Sequence, residues 1–350
     1  MKDLFFEYYK PNKAFFDKIW KDPIYAFDTN VLLDAFRSSE ETYKELIRTF
    51  KILKDKIWIP YQVASEYHKN LNKVIEEQYE KYDKPLKYLN SFEECVNKTR
   101  EHPFIEYEVE INILKNRLKD GKEKLKKLIS DNTKADEISN ILGKCIGSKF
   151  AEDELRKLYK EANDRYKNDI PPGFKDDTKS NKNKYGDFII WKELIKKSKT
   201  DKKDIIFVTN DIKRDWFVSY INDSKIPHPQ LKREFRENTK KDIYLYTLDD
   251  FLGETKLRNI ITVKEETIEE IKNRRIDYTD ILNKLRRHEL DIIGKFDKKI
   301  MKLKGLEKLG NIQNETLKIK GLSLLESHLN DKLKRMRNAH VHMDLNDIEE

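Results

Sequence analysis

The sequence predicts an α/β fold built on a parallel central sheet, and three observations carry that prediction. The stretch IYAFDTNVLLDAF opens with alternating β-formers and changes at Asp28-Thr29-Asn30 to a helical pattern. DIIFVTND is a continuous apolar run of the kind buried in a parallel sheet, and it ends in polar residues. Strand patterns alternate with helix patterns from about residue 22 to residue 254.

The elements follow in order. MKDLFFEYYKPNKAFFDKIW reads as an aromatic N-terminal helix over 1–21 that packs onto its own domain, the commoner outcome than a membrane-surface anchor. The first strand then delivers Asp28 at its C-terminal end. Residues 40–53 have an amphipathic helical pattern, and KIWIP is a short second strand stopped by Pro60. A helix follows with Glu66 on its second turn. From about Tyr79 to Tyr166 charged helix formers are punctuated by Tyr, Leu and Ile at helical spacing, which predicts a long helical insertion. DIPPGFKDDTKSNKNKYGD has the Pro, Gly, Asp and Asn density of a loop. FIIWKELIKK is a helix with Asp187 at its start, DIIFVTND a buried strand, DIYLYTL a further strand, and DDFLG a closing helix near residue 254. Beyond about 263 the pattern is purely helical to residue 350: Ile293, Phe296, Ile300 and Leu303, then Leu322, Leu325, Leu329, Leu333 and Met336, recur at steps of three and four. These stripes predict an α-helical C-terminal domain.

Composition narrows the class. Of 350 residues 39% are charged and 37% hydrophobic, polar for a globular chain, but 17 Tyr and 17 Phe argue against disorder. Lys and Arg number 72 against 64 acids, so the net charge of +8 permits a polyanionic partner without proving one. Cys95 and Cys145 stand far apart with no second pair, which indicates neither a disulfide framework nor a cysteine zinc site. No apolar run approaches the length of a membrane span and the start lacks the order of a signal peptide. A soluble, cytoplasmic protein is the expectation.

The candidate chemistry is acidic. Asp28 ends the first strand, Asp211 ends VTND, Asp187 begins a helix, and Glu66 arrives from the helix after the second strand. An α/β sheet places ligands at the carboxyl ends of its strands. Clustered carboxylates repel one another unless cations neutralise them, so such a cluster predicts a divalent metal, and hard oxygen ligands suit Mg²⁺ or Mn²⁺. In phosphodiester hydrolysis such metals activate water and offset charge on the phosphate. On position alone, each acid is equally readable as a helix cap or a surface charge; Asp187 and Asp211 both occupy ordinary capping sites.

Six motifs in order then resemble a known family. FDTNVLLDAFR, IPYQVASEYHKN, IPPGFKDDTK, YGDFIIWKEL, IIFVTNDIKRDWF, and HPQLKREF followed by YLYTLDDFL span residues 22–254 and are similar to the PIN-like nuclease domains, in particular the bacterial variant with a large helical insertion. The resemblance implies a three-layer fold with a central parallel sheet and an acidic pocket holding one or two Mg²⁺ or Mn²⁺ ions. It assigns Asp28, Glu66, Asp187 and Asp211 as both catalytic and metal-binding. Asn30, Asp176, Asn210 and Asp215 lie in the same motifs as additional ligands or supporting groups, with turn or capping roles as the alternative. Trp191 and Trp216 are expected in the core, within apolar helical stripes, ahead of stacking on bases. Lys175, Lys179, Lys182 and Lys184, in the loop before Asp187, are better placed to meet phosphates.

Near the end, KLKRMRNAHVHMDL carries Arg337, Asn338 and His342, an R-N-x-x-x-H pattern resembling the motif of HEPN domains, helical bundles of which some are metal-independent ribonucleases, usually acting as dimers. On an unbroken helix Arg337 and His342 would point ~140° apart, so the helix would have to break between them. Metal binding by His340 and His342 is the weaker alternative, since residues two apart diverge on a helix.

Together these observations predict a metal-dependent endoribonuclease, with a structure-specific DNA nuclease and a non-catalytic nucleic-acid-binding or toxin-partner protein as alternatives. RNA is expected ahead of DNA as partner, with a homodimer through the C-terminal helices and an unidentified regulatory protein as further partners. A toxin or antiviral-defence role is suggested only by what PIN-like and HEPN-like domains often do.

Overall fold

The computed structural model describes residues 1, 4–99, 108–130, 132–176, 184–219 and 225–275. The chain divides after Ile276, and everything described belongs to the first unit. The apolar stripes from Ile293 to Met336 and the Arg337, Asn338, His340 and His342 cluster lie outside the described residues.

The N-terminal segment contains the 3-10 turn Phe6–Tyr8 and helix α1, Lys13–Ile19. It does pack onto its own domain. Trp20 is buried with its ring stacked on Phe251, and Phe15 and Phe16 meet Tyr244 edge-on. Strand β1, Ile24–Phe27, is followed by α2, Thr29–Arg37, and α3, Glu40–Leu53. Strand β2, Ile57–Trp58, leads into α4, Tyr61–Glu80, and then into the insertion: α5, Asp83–Thr99; α6, Glu108–Ser130; α7, Thr133–Leu142; and α8, Glu152–Lys167. Next come α9, Gly186–Asp201, and strand β3, Ile205–Val208. A short antiparallel hairpin, β4 Phe217–Ser219 and β5 Lys225–Pro227, precedes α10, Pro229–Thr239. Strand β6, Ile243–Tyr246, then leads into α11, Leu248–Leu257, and α12, Glu265–Arg275.

The main sheet has the order β2-β1-β3-β6 and every pair in it is parallel. Ile24 to Phe27 align with Ile205 to Val208, and these in turn with Ile243 to Tyr246. Strands β1 and β3 are buried at every residue, as their unbroken apolar runs require when helices cover both faces. This is the expected architecture: a central parallel sheet flanked by helices, with a helical insertion.

Strand order positions the site. From β1 the chain crosses to β2 on one side, while β3 joins β1 on the other, so the direction of winding reverses between β1 and β3. Crevices at the carboxyl ends of strands at such a reversal are where α/β sheets hold ligands. Asp28 follows β1 and Thr209-Asn210-Asp211 follows β3, one on each side of that crevice. The ladder runs on into it: Asp28 N–H donates to Val208 O at 2.9 Å and Thr209 N–H to Tyr246 O at 2.9 Å.

Two features differ from the sequence reading. The insertion returns to the sheet before α8: Ile146 forms a parallel bridge with Ile59, Ile59 N–H donating to Cys145 O at 2.9 Å and Gly147 N–H to Ile59 O at 2.8 Å. Trp216 stands in the turn before β4, not in a helical stripe, because its segment forms the hairpin. Its core role is as expected: Trp191 and Trp216 are both buried, 6.2 Å apart edge to face, and Trp216 lies 5.4 Å from Phe207.

Side-chain ties fix the periphery. Buried Lys232 on α10 donates to Glu7 O at 2.9 Å, and Arg233 pairs with Glu7. On α12, Glu270 accepts from Ser39 Oγ and Thr42 Oγ1, each at 2.6 Å, and Ile271 is buried. Among the described residues no helix is long and apolar enough to cross a membrane. Cys95 and Cys145 are not joined in a disulfide.

Candidate functional site

Asp28 caps α2. Its Oδ1 accepts from Thr29 N at 2.7 Å, and its Oδ2 from Thr209 Oγ1 at 2.6 Å and Asn30 Nδ2 at 2.7 Å. Three donors from two strand ends thus hold one carboxylate in a single orientation. Burial, followed by the negative charges of Glu66 and Asp211, pushes its pKa up to about 7, against the hydrogen bonds from Thr209 and Thr29. A buried carboxylate with further acids beside it is stabilised by a cation.

Glu66 reaches the same crevice from the second turn of α4. Its Oε2 accepts from Thr29 Oγ1 at 3.1 Å and its Oε1 from Gln62 Nε2 at 2.8 Å, one turn earlier on the same helix. A Cβ built on Gly186 would run into Glu66 Oε1, so the bare backbone at the start of α9 makes room for that carboxylate.

Asp187 comes from the first turn of α9, whose N-cap is Tyr185. It is therefore not the cap that its sequence position suggested. Its Oδ2 accepts from Trp216 Nε1 at 3.3 Å, so a buried tryptophan body carries a polar tip that orients an acid. Asp211 lies in the loop after β3, again not at a helix end. Its Oδ1 accepts from Lys213 N at 3.2 Å and its own N–H donates to Thr209 Oγ1 at 3.0 Å. Lys213 Nζ is 2.7 Å from Asp211 Oδ2 and 3.9 Å from Asp187 Oδ2.

The supporting residues divide clearly. Asn30 links Asp28 to the β3 loop, its Oδ1 accepting from Asn210 N at 3.0 Å. Asn210 accepts from Leu248 N at 2.9 Å and donates to Asp34 Oδ2 at 2.6 Å, joining the carboxyl ends of β3 and β6 to α2. Asp215 is buried and its Oδ2 accepts from Gly173 N at 2.9 Å, anchoring the Pro171-Pro172-Gly173 loop. Asp176 ends the 3-10 turn Phe174–Asp176, and its side chain lies outside what the structure describes, as do Lys179 and Lys182.

Sequence reasoning missed Thr29, Gln62, Thr209, Gly186 and Lys213. Thr209 and Lys213 were legible as the flanks of T-x-D-x-K in VTNDIK; Gly186 carried only its adjacency to Asp187. It also missed Glu193, a buried acid whose Oε2 accepts from Gln62 N at 3.1 Å. Burial first, with Glu66 adding, pushes Glu193 up to about 8. Glu193 lines a cleft of about 650 Å³ beside β2 with Trp58, Lys144, Lys196 and Lys197, and none of the four predicted acids lines that cleft.

Among the described residues no three His, Cys, Asp or Glu side chains stand close enough together to form a ready metal cage. The Lys213 ammonium instead stands between two of the acids, Asp187 and Asp211. The donor set is all carboxylate oxygen, the chemistry of Mg²⁺ and Mn²⁺ sites. The Lys213 ammonium drawn in between Asp187 and Asp211 marks a local excess of negative charge. By donor chemistry, though not as a preformed cage, the residues suit a divalent cation.

A parallel sheet carrying acids at its winding reversal defines an α/β fold with its ligand site at the carboxyl ends of the central strands. Comparison with protein families matches residues 24–231 to the PIN like domain, and the chain belongs to that family. Such domains are in general nucleases, which act on nucleic acids. Comparison with curated proteins and with solved structures finds no match.

Proposed function

We propose that this chain is a metal-dependent endonuclease that hydrolyses phosphodiester bonds, with single-stranded RNA as its first substrate and Asp28, Glu66, Asp187 and Asp211 as its metal-binding and catalytic acids. The observation that carries the reading is the linkage of three of these acids at the winding reversal: Thr29 bonds both Asp28 and Glu66, and Thr209 bonds both Asp28 and the Asp211 amide. Family membership adds that nucleic acid is the class of substrate.

When bound, Mg²⁺ or Mn²⁺ supplies Lewis-acid activation of water and offsets charge at the attacked phosphate. The chain's own residues prepare the site. Thr29, Asn30 and Thr209 lock the Asp28 carboxylate, and Gln62 with Thr29 locks Glu66, so that neither must reorganise when charge develops. Trp216 fixes Asp187 from the core. No side chain is required as a covalent nucleophile.

The test is digestion of single-stranded RNA, single-stranded DNA and DNA flaps by the full chain with Mn²⁺. Cleavage of RNA that EDTA stops and Asp28→Asn abolishes supports the reading. Cleavage of flaps alone makes it a structure-specific DNA nuclease. No cleavage of any substrate, with binding that survives EDTA, makes it a nucleic-acid-binding protein without catalysis.

A further inference from the structure

Lys213 stands inside the acidic set without belonging to it. Its ammonium spans two carboxylates delivered by different elements, Asp211 from the loop after β3 at 2.7 Å and Asp187 from the start of α9 at 3.9 Å. The two acids have hydrogen-bond donors other than its ammonium. Trp216 Nε1 holds Asp187, and the Lys213 and Asp211 backbone amides hold the β3 loop turn. The lysine is thus not needed to aim either carboxylate; what it contributes is charge.

Its side chain is 35% exposed against 19% for each of the two acids. The flexible stem can therefore leave toward solvent while the acids stay. An ammonium is a compact, strongly hydrated point charge on rotatable bonds, the side chain best suited to occupy a cation position reversibly. Lysine also supplies one positive charge where a divalent ion supplies two, so the replacement is favoured electrostatically.

We infer that Lys213 is a built-in counter-ion of the Asp187–Asp211 pair, holding the cation position in the metal-free protein and competing with the divalent ion for it. The inference rests on the proposed reading of these acids as a metal site.

The experiment measures Mn²⁺ affinity of the full chain by calorimetry or by electron paramagnetic resonance at fixed pH, for wild type, Lys213→Met, Lys213→Arg and Asp187→Asn. Removing the competing charge should tighten Mn²⁺ binding by about tenfold in Lys213→Met, while Lys213→Arg stays nearer to wild type. Should the Met variant fail to fold, Lys213→Gln carries the same expectation. Asp187→Asn should weaken binding by about tenfold or more. If Asp187→Asn weakens binding but Lys213→Met binds Mn²⁺ as wild type does or less well, the counter-ion role is overturned while the metal site stands. If Asp187→Asn leaves Mn²⁺ binding unchanged, the metal-site reading fails and the inference falls with it.

Discussion

Gly186 and Glu66 are packed so closely that a single methyl group on Gly186 would occupy the place of Glu66 Oε1. The residue before Asp187 thereby sets the position of an acid on another helix, 120 residues earlier in the chain. Because the clash is with the far end of a flexible side chain, Gly186→Ala should fold normally. Ala is the better helix former by about 1 kcal/mol, so the melting temperature should hold or rise. Cleavage and Mn²⁺ affinity should each fall by about tenfold or more, as the Glu66 carboxylate is pushed aside. A variant that cleaves as wild type does would show that Glu66 is not needed where it stands.

Asp28→Asn separates charge from geometry. Asn caps helices as well as Asp does and can still accept from Thr29 N, so the fold should persist. Activity should fall at least about a hundredfold, since even supporting residues of metal sites are worth ten- to a hundredfold. Removing a buried charge beside Glu66 and Asp211 should also raise the melting temperature of the metal-free protein at pH 8, where Asp28 is ionised. Calorimetric melting with and without EDTA measures both arms, and a lower melting temperature would mean that the hydrogen bonds Asp28 Oδ2 accepts from Thr209 and Asn30 outweigh the cost of burying its charge.

Thr209 is fully buried and its hydroxyl donates to Asp28 Oδ2 while accepting from Asp211 N. Thr209→Val keeps the shape and deletes both bonds, together with the one the hydroxyl accepts from Asn30 Nδ2 at 3.3 Å. The expected cost is about 1–3 kcal/mol of stability, from a partly buried amide left without its partner and a weakened carboxylate. Activity should fall about tenfold. Urea denaturation and single-turnover cleavage test the two; a loss of stability without loss of activity would make Thr209 purely structural.

Glu193 should impose a pH dependence on stability. Its pKa rises from the ordinary 4.5 to about 8 on folding, chiefly through burial. Between those values the unfolded chain has released the proton that the folded chain keeps, so folding takes up a proton and stability falls as pH rises. Above about pH 8 this contribution is gone. Glu193→Gln, which can still accept from Gln62 N, should remove it. Between about pH 5 and pH 8, wild type should therefore lose stability relative to the variant by at most about 1.4 kcal/mol for each step of one in pH. A difference in melting temperature that stays constant across that window would refute the assignment.

Much of this protein was written in local pattern. The buried strands Ile24–Phe27 and Ile205–Val208, the helix starts at Thr29 and Gly186, and the helical insertion follow from runs and periods within a dozen residues. So did the core fate of Trp191 and Trp216. The four acids could be named because each sits at or beside the end of such an element. What local pattern missed were elements too short to have a period, the three-residue strands β4 and β5 and the single bridge at Ile146, whose existence depends on a partner elsewhere.

The sequence by itself determined the parallel sheet, because a strand covered on both faces must be apolar at every position, and it put an acid at the end of each central strand. Only the tertiary structure decided which groups surround those acids. Thr209 meets Asp28 across 181 residues, Thr29 meets Glu66 across 37, and Lys213 lies between Asp187 and Asp211 because the loop after β3 turns toward the start of α9. Such neighbours are set by strand register and by the winding reversal between β1 and β3, and side chains brought together by pairing of distant segments leave no period in the chain that carries them.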